Sequence, residues 1–263
     1  VQQGNPEALS VAYPLSDITF RDIGSKNNLL VITVDGLNEA SMAKALPNLN
    51  QFASENVRFN QHFSAGSASE AGLFGLFYGI SPSYMDGILS SRIPSALINA
   101  LSQQGYQFGL FASDGFSSPL YRQALLTDFS LPSSADQPNA QTTEQWKNWL
   151  DGQQPGGAPW FSYISYDGLS NTDNNGSNTN RRYLRSAAQV DQQIKQVLTR
   201  LKEQDLLKNT VVVITAQRGV ALNERDDSNG NRAILQVPLV IHWPDTPAQQ
   251  VNKLTNHQDV MTT

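Results

Sequence analysis

No cysteine occurs in this chain of 263 residues, which excludes a disulfide framework and any thiolate-held metal. A bacterial envelope protein and a cytosolic one satisfy that equally. Basic blocks are missing too: 18 Lys and Arg stand against 23 Asp and Glu, for a formal charge of −5. Nucleic acid is thereby excluded as the main partner, since phosphate binding needs a concentrated basic face. No apolar run approaches the roughly 20 residues that cross a bilayer. Histidine is scarce. His62, His242 and His257 show neither HxH nor HxxxH spacing, so each reads as a packing or hydrogen-bonding residue rather than a ligand. What remains, 39% hydrophobic and 16% charged, suffices for one large core.

Five stretches carry the pattern of buried strands: NLLVITVDG, QFGLFASDG, WFSYISYDG, NTVVVITAQRG and VPLVIHWP. Helical stretches separate them, among them LPNLNQFASEN, PSALINALSQQG and RRYLRSAAQVDQQIKQVLTRLKEQ. In the last, Tyr183, Ala187, Val190, Ile194, Val197, Leu198 and Leu201 recur at i, i+3/i+4 spacing and form one apolar face. The alternation predicts an α/β fold with a mostly parallel, doubly wound sheet flanked by helices. Residues 1–28 read as a linker and 29–263 as the domain. The start has neither a Met nor a signal-peptide pattern and the end stops in the first turn of a helix, which predicts an excised domain. Two polar stretches, residues 167–180 and 223–231, lack periodicity and read as surface loops.

In an open parallel sheet the C-terminal strand ends share one edge, and ligands bind in the crevice there. Three of these strands finish in Asp-Gly, at Asp35, Asp114 and Asp167, and a fourth in Gln217-Arg218-Gly219. Up to three carboxylates and one guanidinium converge if the sheet is as predicted. Each Asp-Gly taken alone is ordinary turn chemistry, with Gly supplying a positive φ.

The stretch LPNLNQFASENVRFNQHFSAGSASEAGLFGLFYG resembles the sulfatase and alkaline phosphatase superfamily, and the likeness runs through nearly the whole chain from Leu29. It is closest to an inner-membrane branch of Gram-negative bacteria that carries a periplasmic sulfatase-like domain. The resemblance implies a nucleophile at Ser69, with Ser67 as its neighbour, and a first metal-ligating aspartate at Asp35. Family chemistry uses divalent cations to ionise the nucleophile and polarise a phosphate or sulfate. Here the pattern breaks. Gln217 and Arg218 stand where active relatives have Asp-His, Leu169 stands where a histidine is expected, and Arg232 and Ala233 precede LQVPLV without one.

Two functions follow as expectations. The first is a catalytically degenerate periplasmic domain of an inner-membrane protein. The resemblance then implies a regulator of lipopolysaccharide synthesis and outer-membrane lipid homeostasis, with lipopolysaccharide (lipid A), cardiolipin or other anionic lipid and a membrane protein as partners and no cofactor. The crevice residues would be Arg218, Ser67, Asp114, Asp167 and Gln217, with Ser69 vestigial. Arg181, Arg182 and Arg185 read as the solvated face of a helix. The alternative is an Mg²⁺-dependent phosphatase or phosphoryl transferase, with Asp35, Asp114 and Asp167 holding the ion and Ser69 attacking. A weaker third reading is a protein-docking module.

Overall fold

The computed structural model describes residues 27–169, 179–222 and 230–261. Most of the expected linker and the centres of both expected polar loops lie outside the described residues. Seven strands form the main sheet: β1 (Asn28–Val34), β2 (Val57–Phe59), β4 (Gln107–Ala112), β5 (Trp160–Tyr166), β6 (Thr210–Thr215), β7 (Leu239–His242) and β8 (Gln249–Val251). Their order is β4-β5-β1-β6-β7-β2-β8, while β3 (His62–Phe63) and β9 (Thr255–Asn256) pair separately. The first four in that order are mutually parallel. The mostly parallel sheet predicted from the alternation is therefore present. One interior strand departs from it, because β7 runs antiparallel to both β6 and β2.

Burial explains why these strands read so clearly. All seven positions of β1 are buried, because helices cover both faces and no side chain reaches solvent. Successive residues then divide between two cores by the period of 2. Leu29 and Val31 join one apolar cluster with Val211, Val213, Phe161 and Tyr163, while Leu30, Ile32 and Val34 join the other with Val212, Ile214 and Ile164. β4 differs: it is an edge strand, and only Gly109 and Ala112 of it are buried.

The second cluster is roofed by α1 (Glu39–Ala45), α2 (Pro47–Ser54), α6 (Asn139–Asp151) and α7 (Thr179–Glu203), and the first by α3 (Ser69–Tyr78), α4 (Met85–Ser91) and α5 (Ala96–Gln103). The seven periodic apolar positions of α7 are all buried. One carboxylate lies among them. Asp191 accepts from Asn48 N at 3.0 Å, Asn48 Nδ2 at 2.7 Å and Leu49 N at 2.9 Å. It caps α2 from another helix, which compensates for Leu46, the N-cap residue that has no side-chain oxygen to offer. The remaining helices are α8 (Gly230–Leu235) and α9 (His257–Val260).

Candidate functional site

Because β4, β5, β1 and β6 are parallel neighbours, their C-terminal ends line up along one edge. Asp114, Asp167, Asp35 and Gln217 follow those ends in that spatial order. They meet in a cavity of about 220 Å³ that Ser69 also lines. The turn reading holds at the same time: Gly36, Gly115 and Gly168 have φ of 90°, 65° and 99°, a region that favours glycine. A tight turn is what leaves each aspartate at the mouth of its strand.

Ser69 begins α3, but it does not cap it. Ala68 is the N-cap residue, in extended conformation and with no side-chain cap, so the serine hydroxyl is available for another contact. Its Oγ donates to Asp35, 2.9 and 2.8 Å from the two carboxylate oxygens, and accepts from Arg218 Nε at 3.1 Å. A close approach fixes this geometry. A Cβ on Gly72, one turn along α3, would fall onto the Gln217 carbonyl oxygen, so only glycine lets the helix pack against the end of β6. Arg218 and Asp35 thus meet through the serine hydroxyl.

The rest of the cavity is acidic. Glu70 and Asp136 join Asp35, Asp114 and Asp167 along its wall. Burial raises the Asp114 carboxyl, and the nearby Asp35 and Asp136 add to the effect. Asp167 is pushed up to about 6, first by burial and then by the negative charge of Asp114, Asp136 and Asp35. A polar and aromatic wall closes the site: Tyr121, Tyr166, Ser118 and Ser165. Tyr121 opens a π-helical turn, Tyr121–Leu125, and its hydroxyl lies 2.6 Å from that of Tyr163.

The structure therefore gathers Asp35, Ser69, Asp114, Asp167 and Gln217, and reaches Arg218 through Ser69. Ser67 is exposed and lines no part of the cavity, because it precedes α3 and its N-cap residue, where the chain is still on the surface. Leu169 is fully buried in the second apolar cluster, and Arg232 is exposed, with its Nε on Gln236 Oε1 at 2.9 Å. Glu70, Ser118, Tyr121 and Asp136 were not anticipated. Glu70 carries the only local signal, as the residue after Ser69 at a helix start.

The described residues offer no ready-made cage for a divalent cation. Among the described residues no three carboxylates or histidines gather closely enough to hold one, and the Arg218 guanidinium approaches the very oxygen the ion would have to bind. The histidines are engaged elsewhere. His257 Nε2 donates to the Ala216 carbonyl at 2.6 Å, which leaves its Nδ1 to accept from His62 Nε2 at 2.8 Å, and His62 Nδ1 to accept from Thr255 Oγ1 at 2.9 Å. Burial lowers both histidines, His257 to about 4. His242 is held by Asn56 Oδ1 and the Leu207 carbonyl, each at 2.7 Å.

The Sulfatase family model matches residues 27–263. The chain belongs to the Sulfatase family. Inner membrane protein YejM of Salmonella typhimurium is 55% identical to it over 264 residues, which cover 100% of this chain and 45% of that protein. A Haemophilus influenzae protein is 34% identical, over 98% of this chain and 43% of its own length. This sulfatase domain thus spans less than half the length of the curated relatives it matches. The lipoteichoic acid synthase of Listeria monocytogenes superposes with a TM-score of 0.71 at 14% identity, covering 94% of this chain and 75% of the other. The phosphonate monoester hydrolase of Agrobacterium radiobacter gives 0.68 at 16%, covering 90% and 72%. These two share the sulfatase fold. No described helix is long and apolar enough to cross a membrane.

Proposed function

We propose that this sulfatase domain is the non-catalytic periplasmic part of an inner-membrane protein. In this reading it helps set lipopolysaccharide synthesis and outer-membrane lipid balance, through contact with anionic lipid and with a membrane protein partner. The observation that carries it is the state of Ser69. Its proton is spent on Asp35 and a lone pair on Arg218, so the hydroxyl is held as a neutral link between two opposite charges. A serine attacks efficiently when a neighbouring base or cation shifts it toward the alkoxide. Asp35 is far too weak a base for an unassisted serine, and the guanidinium's effect on Oγ is balanced by the carboxylate opposite. The histidines serve each other and the backbone.

The relatives named as inner membrane proteins support the membrane context. The acidic cavity itself disfavours a phosphate headgroup, since its carboxylates would repel it. In our reading the lipid contact therefore falls on the exposed face of α7, where Arg181, Arg182 and Arg185 point outward. Co-sedimentation with vesicles tests this. Cardiolipin or lipid A vesicles should retain the chain and phosphatidylcholine vesicles should not, and reversing the three arginines to Glu should abolish retention. Equal retention by neutral vesicles, or none by either, would overturn the lipid assignment.

A further inference from the structure

A second and larger cavity, of about 770 Å³, lies at the edge of the sheet opposite the crevice. The parallel neighbours β5, β1 and β6 begin there, with Trp160, Asn28 and Asn209, the residue before β6, on its wall. The loop from Gln153 to Pro159, between α6 and β5, forms one side, and Gln204 and Leu206, just after α7, form another. Local bonds shape the loop: Gln153 Nε2 donates to the Trp149 carbonyl at 3.1 Å, Gly157 N closes a turn on the Gln154 carbonyl at 3.0 Å, and Gly156 takes a φ of 73°. Charge is what this lining lacks. Its one ionisable side chain, Asp151, is already neutralised, because Arg200 Nη1 donates to both of its oxygens, at 3.0 and 2.8 Å, and Gln204 Nε2 adds a bond of 2.6 Å. Amides take the place of charge. The Gln154 side chain is exposed and, like the Oε1 atoms of Gln153 and Gln204, enters no hydrogen bond among the described residues. Pro155, Pro159 and Leu206, none of them buried, add apolar surface to the same wall.

We propose that this cavity binds a neutral disaccharide unit, its hydroxyls on the amides of Gln153, Gln154 and Gln204 and its C–H face on Leu206 and the two prolines. An amide both donates and accepts, as a hydroxyl does, so the two match without charge on either side. Other guests fit less well. An anion finds no free cation among the lining side chains, and a cation finds no unpaired carboxylate. An apolar ligand would strip the amides of water and return no hydrogen bond. A peptide strand docks along a free sheet edge, whereas β5, β1 and β6 are interior strands that present only their ends here. The volume of about 770 Å³ lies within the span of small-molecule sites, about 300 to 1,000 Å³. Asp35 and Ser69 stand at the opposite edge of the sheet, and the inference is independent of the lipid contact on α7, so either can fail alone.

Saturation-transfer NMR and calorimetric titration of the 263-residue chain with N,N′-diacetylchitobiose and with cellobiose test it. Saturable binding of at least one of them is expected, at about 0.1 to 5 mM. Gln154→Ala and Gln204→Ala, both at exposed positions, should each weaken it by about threefold to tenfold. Ala158→Trp, whose indole would fill the cavity from its exposed rim, should abolish it. If that variant does not fold, the two Gln variants carry the test. Three results would overturn the proposal: no saturation by either disaccharide at about 20 mM, affinity unchanged in both Gln variants, or tighter binding of trialanine, which would assign the cavity to a peptide instead.

Discussion

Lowering the pH should destabilise this domain through one buried pair of rings. His257 and His62 are fully buried, and the chain of hydrogen bonds from Thr255 to the Ala216 carbonyl leaves no position for an additional proton without losing an acceptor. The folded His257 titrates at about 4, depressed by burial, against about 6.5 in the unfolded chain. The sign follows from linkage: between these values the unfolded state binds the proton and the folded state does not, so stability falls as pH drops through that window. Full passage costs about 3 kcal/mol, and the fall from about pH 7.5 to about pH 5 costs about 2 kcal/mol of it. His62 is also depressed and acts in the same direction. Asp114 and Asp167 act oppositely. Their folded pKa is raised, so they bind protons sooner in the folded state and regain stability as pH falls. The comparison must therefore be differential. Urea unfolding at several pH values, for the parent chain and for His257→Gln, should give a steeper pH dependence in the parent by about 2 kcal/mol over that interval. Parallel pH profiles would refute the buried neutral pair.

Asp191→Ala should cost about 2 to 4 kcal/mol in the same assay, because it strips three donors at the start of α2 of a buried acceptor that no neighbour replaces. Arg218→Ala and Asp35→Asn should each destabilise by about 1 kcal/mol, less than a fully buried pair, since both side chains are only partly buried. Their double-mutant cycle should show coupling beyond about 0.5 kcal/mol that disappears in a Ser69→Ala background, where the linking hydroxyl is gone. Additive effects in the Ser69 background would mean that the two charges do not communicate.

The strands were legible wherever both faces are buried, because an unbroken apolar run such as LLVITV leaves few alternatives in an alternating α/β sequence. α7 was legible for the opposite reason, its single apolar stripe. Elements of two or three residues, β2, β3, β8 and β9, were not, since no periodicity fits so short a segment. The antiparallel direction of β7 is likewise invisible: its residues alternate between the two cores as in a parallel strand, and direction is set by how the chain returns. At the site, the Asp-Gly strand ends could be placed because sheet topology fixes where such ends go, and Ser69 was placed by the family resemblance. Asp136, Ser118 and Tyr121 could not, for they arrive on the segment after β4, whose path local sequence does not specify. The position of Ser69 Oγ between Arg218 and Asp35 was not legible in the sequence. Strand-end spacing put Asp35 and Arg218 on one edge and the resemblance added Ser69, but only coordinates order the three.

The central claim, that Ser69 is a link between charges and no longer a nucleophile, is tested most directly by turnover. Phosphate and sulfate monoesters should be offered to the purified chain with and without Mg²⁺, beside Ser69→Ala prepared identically. The account predicts rates indistinguishable from buffer for both proteins in every condition. A cation-dependent rate that vanishes in Ser69→Ala would contradict it.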